Sequence, residues 1–237
     1  MSGVLQYFVS VLLRGFGRLQ LPSAIKRVSP DKAVGRPDET QRYVLFLLPI
    51  WVLAGVADYL WHRRTHIETT SGTEESITHA LMITEMAPAV LAALFLEINA
   101  GVLALIIGSY VAHEATVAWD IYFTASRRPI PPGEQHTHSY LQAIPFCLAS
   151  FVVFTHWDQV LSLLGKGSQQ ARFDINLKQP ALPPRYLIPS LLGSGLLAAG
   201  SHAEELWRCL KAQRAGLTGR DTPECTRELF GHSAKSV

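Results

Sequence analysis

The apolar residues of this chain fall in blocks rather than stripes, and that leaves few folds open to it. Residues 43–61, 80–97, 100–119 and 140–164 are each mainly apolar. They come close to, or exceed, the roughly 20 residues that an α-helix needs to cross the hydrocarbon core of a membrane. A shorter fifth block covers residues 186–200. A soluble helix would instead space its apolar residues three and four apart along one face. The chain is 48% hydrophobic and 17% charged, a balance that suits lipid, where only helices or closed barrels satisfy the backbone. The blocks predict an all-α, polytopic membrane helical bundle of four to five transmembrane helices. The soluble alternative is an all-α enzyme with deeply buried helices.

The bundle is assigned to residues 43–207, and the chain on either side of it is more polar. Residues 4–13 are apolar, but Arg14 and Arg18 follow them, with no basic start and no small-residue cleavage site. Residues 1–42 are therefore expected to form an interfacial helix and a linker, not a cleaved signal. Residues 208–237 read as a polar tail of mixed charge. Cys147, Cys209 and Cys225 have neither metal-type spacing nor an even count, which argues against a disulfide framework or a thiolate cluster. The net charge of +2 is spread over loops and tail without a basic stripe, so nucleic acid is not an expected partner.

Six of the nine histidines, His62, His66, His79, His113, His136 and His138, fall at the ends of the blocks, in the company of Asp58, Glu75, Glu85, Asp120 and Glu134. Ionisable groups at membrane depth cost several kcal/mol unless they are paired or metal-bound. Spans that alternate in direction gather these residues on one face. His62 and His66 follow the first span, and His79 precedes the second. The third carries His113 and ends near Asp120, and the fourth opens with Glu134, His136 and His138. The 186–200 block delivers His202, Glu204 and Glu205 to the same face, while His156 lies toward the other one. Asp58/His62, His62/His66, Glu75/His79 and Glu134/His138 are i, i+4 pairs on shared helix faces. His113 and Asp120, seven apart, nearly align. Glu85 aligns less well with His79, Glu114 points away from His113, and His136 diverges from His138 on a helix.

Neutral imidazole is the commonest metal ligand, and two histidines at i, i+4 can chelate one ion. The candidate ligands are Asp58, His62, His66, His79, His113, Asp120, His136 and His138, with Glu75, Glu85, Glu134 and His202 as supporting or alternate ligands. This set exceeds the needs of one zinc and would hold two transition metal ions, as facing helices of carboxylate–histidine bundles do. Nitrogen and oxygen ligands without thiolate favour Fe, Zn or Mn. His202 with Glu205 at i+3 reads equally well as a helix-terminal pair. His62-Arg63-Arg64 also fits a basic interfacial anchor. Arg127 and Arg128 fit either anchoring or the binding of an anionic headgroup or substrate. Pro49, Pro88, Pro145 and Pro189 are placed to bend spans and open room between helices.

The layout of residues 58–138, with the box His62-x-x-x-His66 and the looser Glu134-Gln-His136-Thr-His138, resembles the membrane-bound di-iron hydroxylases and desaturases. That family's His-x-x-His-His boxes have no counterpart here. The resemblance implies two irons that activate oxygen, a lipid or other apolar substrate, an external electron donor and a site facing the cytoplasm. Ser76, His79 and Asp120 look like fragments of a second pattern, that of membrane zinc hydrolases that cleave lipid amides. In that pattern a His-x-x-x-His comes last, whereas here it comes first. The leading expectation is a metal-dependent, di-iron oxidoreductase that hydroxylates or desaturates an apolar substrate. The zinc hydrolase is the alternative. A metal or proton transporter would want polar residues along the whole depth of the bundle, and here they crowd at one end. Lys and Arg are shared about evenly between the two faces, so charge bias does not choose an orientation.

Overall fold

The computed structural model describes residues 37–179, 181–182 and 184–218. The expected interfacial helix, most of the linker and most of the polar tail lie outside the described residues. Within them the chain is all-helical. α1 is Glu39–Thr65, α2 Thr73–Phe95, α3 Ala100–Ala125, α4 Pro132–Thr155, α5 Trp157–Leu163 and α6 Pro184–Arg214. An isolated bridge between Leu96 and Leu177 is the one β-type pairing among the described residues.

Local chemistry sets the helix ends. Asp38 caps α1 in a reciprocal capping box, accepting from the Gln41 backbone N–H at 2.7 Å while the Gln41 side chain accepts from Asp38 N–H at 2.9 Å. Asn99 caps α3 by accepting from Val102 N–H at 3.0 Å. Pro131 and Pro132 begin α4, where a missing N–H costs nothing. His66 closes α1 in the left-handed conformation, with φ 52° and ψ 51°. The fourth apolar block is cut by a break at His156, so α4 starts eight residues before the block and stops short of its end.

Helices α1 to α4 are long and apolar enough to cross a membrane. Phe46, Leu53, Val111, Phe146 and Phe154 stand outward and exposed on them, a surface suited to lipid rather than water. The 186–200 block forms the first half of α6, which is not among these four helices. Its second half carries Glu204, Glu205, Arg208 and Lys211, and the apolar part alone is too short to span. α2 and α3 pack as a hairpin, α1 lies against α4 and α6, and α6 also meets α2.

Away from the histidines, the core is Val44, Met86, Leu94, Leu103, Ile106, Leu148 and their neighbours. Ala89, Ala92 and Ala93 on α2 allow close packing there. A strap of residues 166–179 closes this end. Its Arg172 and Asn176 carbonyls accept from Gly101 and Glu97 N–H, each at 2.9 Å. Lys178 Nζ donates to the Ala93 carbonyl at 2.9 Å and pairs with Asp38 at 2.7 Å.

Candidate metal centre

Five helices bring ionisable groups to the other end of the bundle: Asp58 and His62 from α1, Glu75 and His79 from α2, Asp120 from α3, Glu134 and His138 from α4, and His202 and Glu205 from α6. His62 is at the centre, 1% exposed. Its Nδ1 lies 2.8 Å from Glu205 Oε2. An Nδ1–H donating to that carboxylate leaves the lone pair on Nε2, the tautomer control expected of a metal-binding imidazole. Nε2 faces Asp58 at 3.4 Å, Glu134 at 3.5 Å and Glu75 at 3.7 Å. It has no hydrogen-bond partner. Two ligands held tetrahedrally at about 2.1 Å from one ion lie about 3.4 Å apart, so the spacing suits ligands of a common cation. His138 Nε2 joins at 2.9 Å from Asp58 Oδ1, and one donor atom from each of Asp58, His62, Glu134 and His138 falls within 4.8 Å of the others.

A second group adjoins the first. The His62 and His79 rings stack with centroids 4.8 Å apart, and His62, His79 and Glu205 can converge on one ion. His79 Nδ1 stands 3.5 Å from Glu205 Oε1, and both atoms are buried without hydrogen-bond partners. On the outer side of the ring, Asp120 faces Nε2 at 3.5 Å and is itself held by the Thr78 hydroxyl at 2.5 Å. Asp120 is therefore placed to fix the His79 ring rather than to share the ion on the Nδ1 side. His202 meets His79 edge-on at 6.3 Å. Burial pushes the His202 imidazole down, keeping it neutral and able to bind a metal at neutral pH.

Arg128 sits behind both groups in the α3–α4 loop, its side chain 1% exposed. Its fork holds Glu75 through Nε at 3.1 Å and Nη2 at 2.6 Å, and Glu134 through Nη1 at 3.0 Å with a further contact from Nη2. Burial works against the charge, but Glu75 and Glu134 outweigh it and raise the guanidinium's pKa above its ordinary value. Glu205 shows the converse. Burial pushes its carboxyl up, while His62 and His79 hold it well below the usual carboxylate range. The five buried carboxylates Asp58, Glu75, Asp120, Glu134 and Glu205 face one buried guanidinium. Four negative charges remain for imidazolium groups or cations to balance.

A cavity of about 350 Å³ runs from this cluster into the apolar half of the bundle. Asp58, His79, Asp120, His138 and His202 line its polar end, and residues such as Trp51, Met86, Val90 and Leu191 line the rest. Outside the cluster, α6 is lashed down by Tyr59 donating to Glu204 at 2.7 Å, Thr73 donating to Gln213 at 2.8 Å, and an Arg208–Glu68 pair.

The structure brings Asp58, His62, His79, His138 and Glu134 into the two groups, with Glu75, Asp120 and His202 beside them. Four sequence candidates stay apart. The α1 helix ends one residue before His66, so the left-handed cap turns that side chain to solvent beside Glu68. His136 points outward against Tyr140, as its spacing of two from His138 dictates. His113 is buried but belongs to neither group and meets Trp51 edge-on at 6.3 Å. Glu85 accepts from the Thr116 hydroxyl at 2.7 Å instead of supporting His79. Sequence reasoning carried Glu205 to the correct face without a role. Arg128, expected either as an interfacial anchor or as a binder of an anionic headgroup or substrate, instead pairs with Glu75 and Glu134, and its spacing of six from Glu134 across a proline-stiffened loop was a usable signal. Comparison of the chain with protein-family models, with curated proteins and with solved structures gives no match.

Proposed function

We propose that this chain is a multi-pass membrane enzyme that binds two divalent transition metal ions and oxidises an apolar or lipid substrate. The observation that carries the reading is a set of buried, unpartnered donor atoms, His62 Nε2, His79 Nδ1 and Glu205 Oε1, in the cluster whose Asp58, His79 and His138 line the polar end of an apolar cavity. One ion would be held by Asp58, His62, Glu134 and His138, and the other by His79 and Glu205 with His202 near. Two divalent ions match the four uncompensated carboxylate charges, whereas a single zinc leaves half of them unbalanced. Iron is favoured over zinc or manganese because two redox-active ions supply oxygen activation, the chemistry needed to hydroxylate or desaturate an unactivated C–H bond.

The side chains have distinct tasks in this reading. Glu205 accepts the hydrogen bond from His62 Nδ1–H and so keeps the lone pair on Nε2, and Asp120 does the same for the outer nitrogen of His79. Arg128 turns Glu75 and Glu134 toward one point and limits their mutual repulsion. The apolar cavity wall keeps water from the reacting carbon. No nicotinamide or flavin motif is visible in the sequence, so the two electrons for each turnover come from an outside donor. The site faces the cytoplasm, where such donors are held reduced.

The reaction class is tested by oxygen uptake by the purified protein in lipid nanodiscs with a chemical reductant and a mixture of apolar chains. Substrate-dependent oxygen uptake supports the oxidoreductase. Turnover of lipid amides with neither oxygen nor reductant would instead support the zinc hydrolase, for which Ser76, His79 and Asp120 are the residues at hand.

A further inference from the structure

His113 is 4% exposed and lines the cavity wall. Neither ring nitrogen has a hydrogen-bond partner among the described residues, although the Met82 carbonyl lies near. A buried polar group left in that state costs about 1–3 kcal/mol, and the metal groups do not include it. Seven residues of α3 separate it from Asp120, roughly 10 Å along the helix axis. The cavity therefore has a polar metal end and, farther along a mainly apolar wall that also carries Gln142 and Ser194, the unpartnered imidazole of His113. Among the described residues no Lys or Arg lines the cavity, so none of them neutralises an anionic headgroup there.

We infer that His113 is a substrate-recognition residue that hydrogen-bonds one uncharged oxygen, a hydroxyl or carbonyl, on an otherwise apolar chain and so fixes which carbon reaches the metal end. The substrate class is then a long-chain alcohol, ester or ketone rather than a plain hydrocarbon or a free carboxylate. This inference rests on the cavity being the substrate site of the proposed enzyme. A hydrogen bond of ordinary strength predicts a preference of roughly five- to tenfold for the oxygenated chain over the matching hydrocarbon.

The test equilibrates purified protein with equal amounts of 1-dodecanol and n-dodecane and reads the bound species by native mass spectrometry, with metal content measured on the same samples. The wild type should retain the alcohol preferentially, His113→Phe should lose the preference with metal content unchanged, and His113→Asn should regain part of it. In [¹⁵N]histidine-labelled wild type, the His113 imidazole resonance should shift with 1-dodecanol and not with n-dodecane. Equal retention of both probes, a preference that survives His113→Phe, or loss of metal in that variant overturns the inference. Metal content as purified and after metal reconstitution, measured on the same protein, separates the two readings. A preference kept in a protein that binds no metal would remove the enzyme and leave the recognition site.

Discussion

Leu94 and Leu103 are fully buried at one end of the bundle, surrounded by apolar neighbours and closed over by the strap. At the other end, equally buried positions are held by His62, Glu75, Glu134 and Glu205. The first arrangement gains stability from area removed from water. The second gives much of that gain away, because buried ion pairs seldom outweigh their own desolvation. Two ends of one helix bundle built this differently are what the proposed metal binding requires, since bound cations would offset the charge buried at the polar end.

The comparison can be broken most forcefully at Arg128. In metal-free protein, Arg128→Met strands Glu75 and Glu134 as buried anions and should cost about 3–5 kcal/mol in chemical unfolding from detergent micelles. Metal loading should reduce that loss, since cations would take over the neutralisation. Leu103→Ala is the matching lesion at the other end. It should destabilise by about 2–5 kcal/mol through the cavity it leaves, with metal content unchanged.

Acid sharpens the contrast. The Glu205 carboxyl is held below its ordinary value of 4.5, so its contribution is complete above that pH and is lost as pH falls through the lower folded-state value. Thermal unfolding of the metal-free protein should therefore show falling stability below pH 4.5, and Glu205→Gln should flatten that dependence. Lys178→Met removes one buried hydrogen bond and one partly exposed pair from the strap. A loss of about 1–3 kcal/mol is expected there, again without effect on metal. The smallest changes belong to His66→Ala and His136→Ala, which should stay within about 0.5 kcal/mol in stability and leave bound metal untouched.

The helical class and the four helices long and apolar enough to cross a membrane were legible because a span demands uninterrupted apolar length. Much of the site was legible for a related reason. Asp58/His62, Glu75/His79 and Glu134/His138 sit at span ends, where alternation fixes the face and i, i+4 spacing fixes the direction. His66 extended the same periodicity one residue beyond the helix, and no pattern in the sequence marks a left-handed cap on histidine. His113 aligned with Asp120 in angle, and both line the cavity, but a spacing of seven sets them about two turns apart along the helix axis, which keeps His113 out of the metal groups. Glu205 and Arg128 were obscured by their settings, a charged helix half and a basic loop, where a solvated role is the ordinary one. Their burial arises from tertiary packing of α6 and the α3–α4 loop, which local spacing does not encode.

Metal analysis of anaerobically purified protein, combined with iron spectroscopy, bears most directly on the centre itself. Two ions per chain in the wild type are expected, with a coupled di-iron signature and loss of metal in His62→Ala, the residue on which both groups converge. A wild type that carries no transition metal, or a His62→Ala variant that retains the full complement, would contradict the assignment.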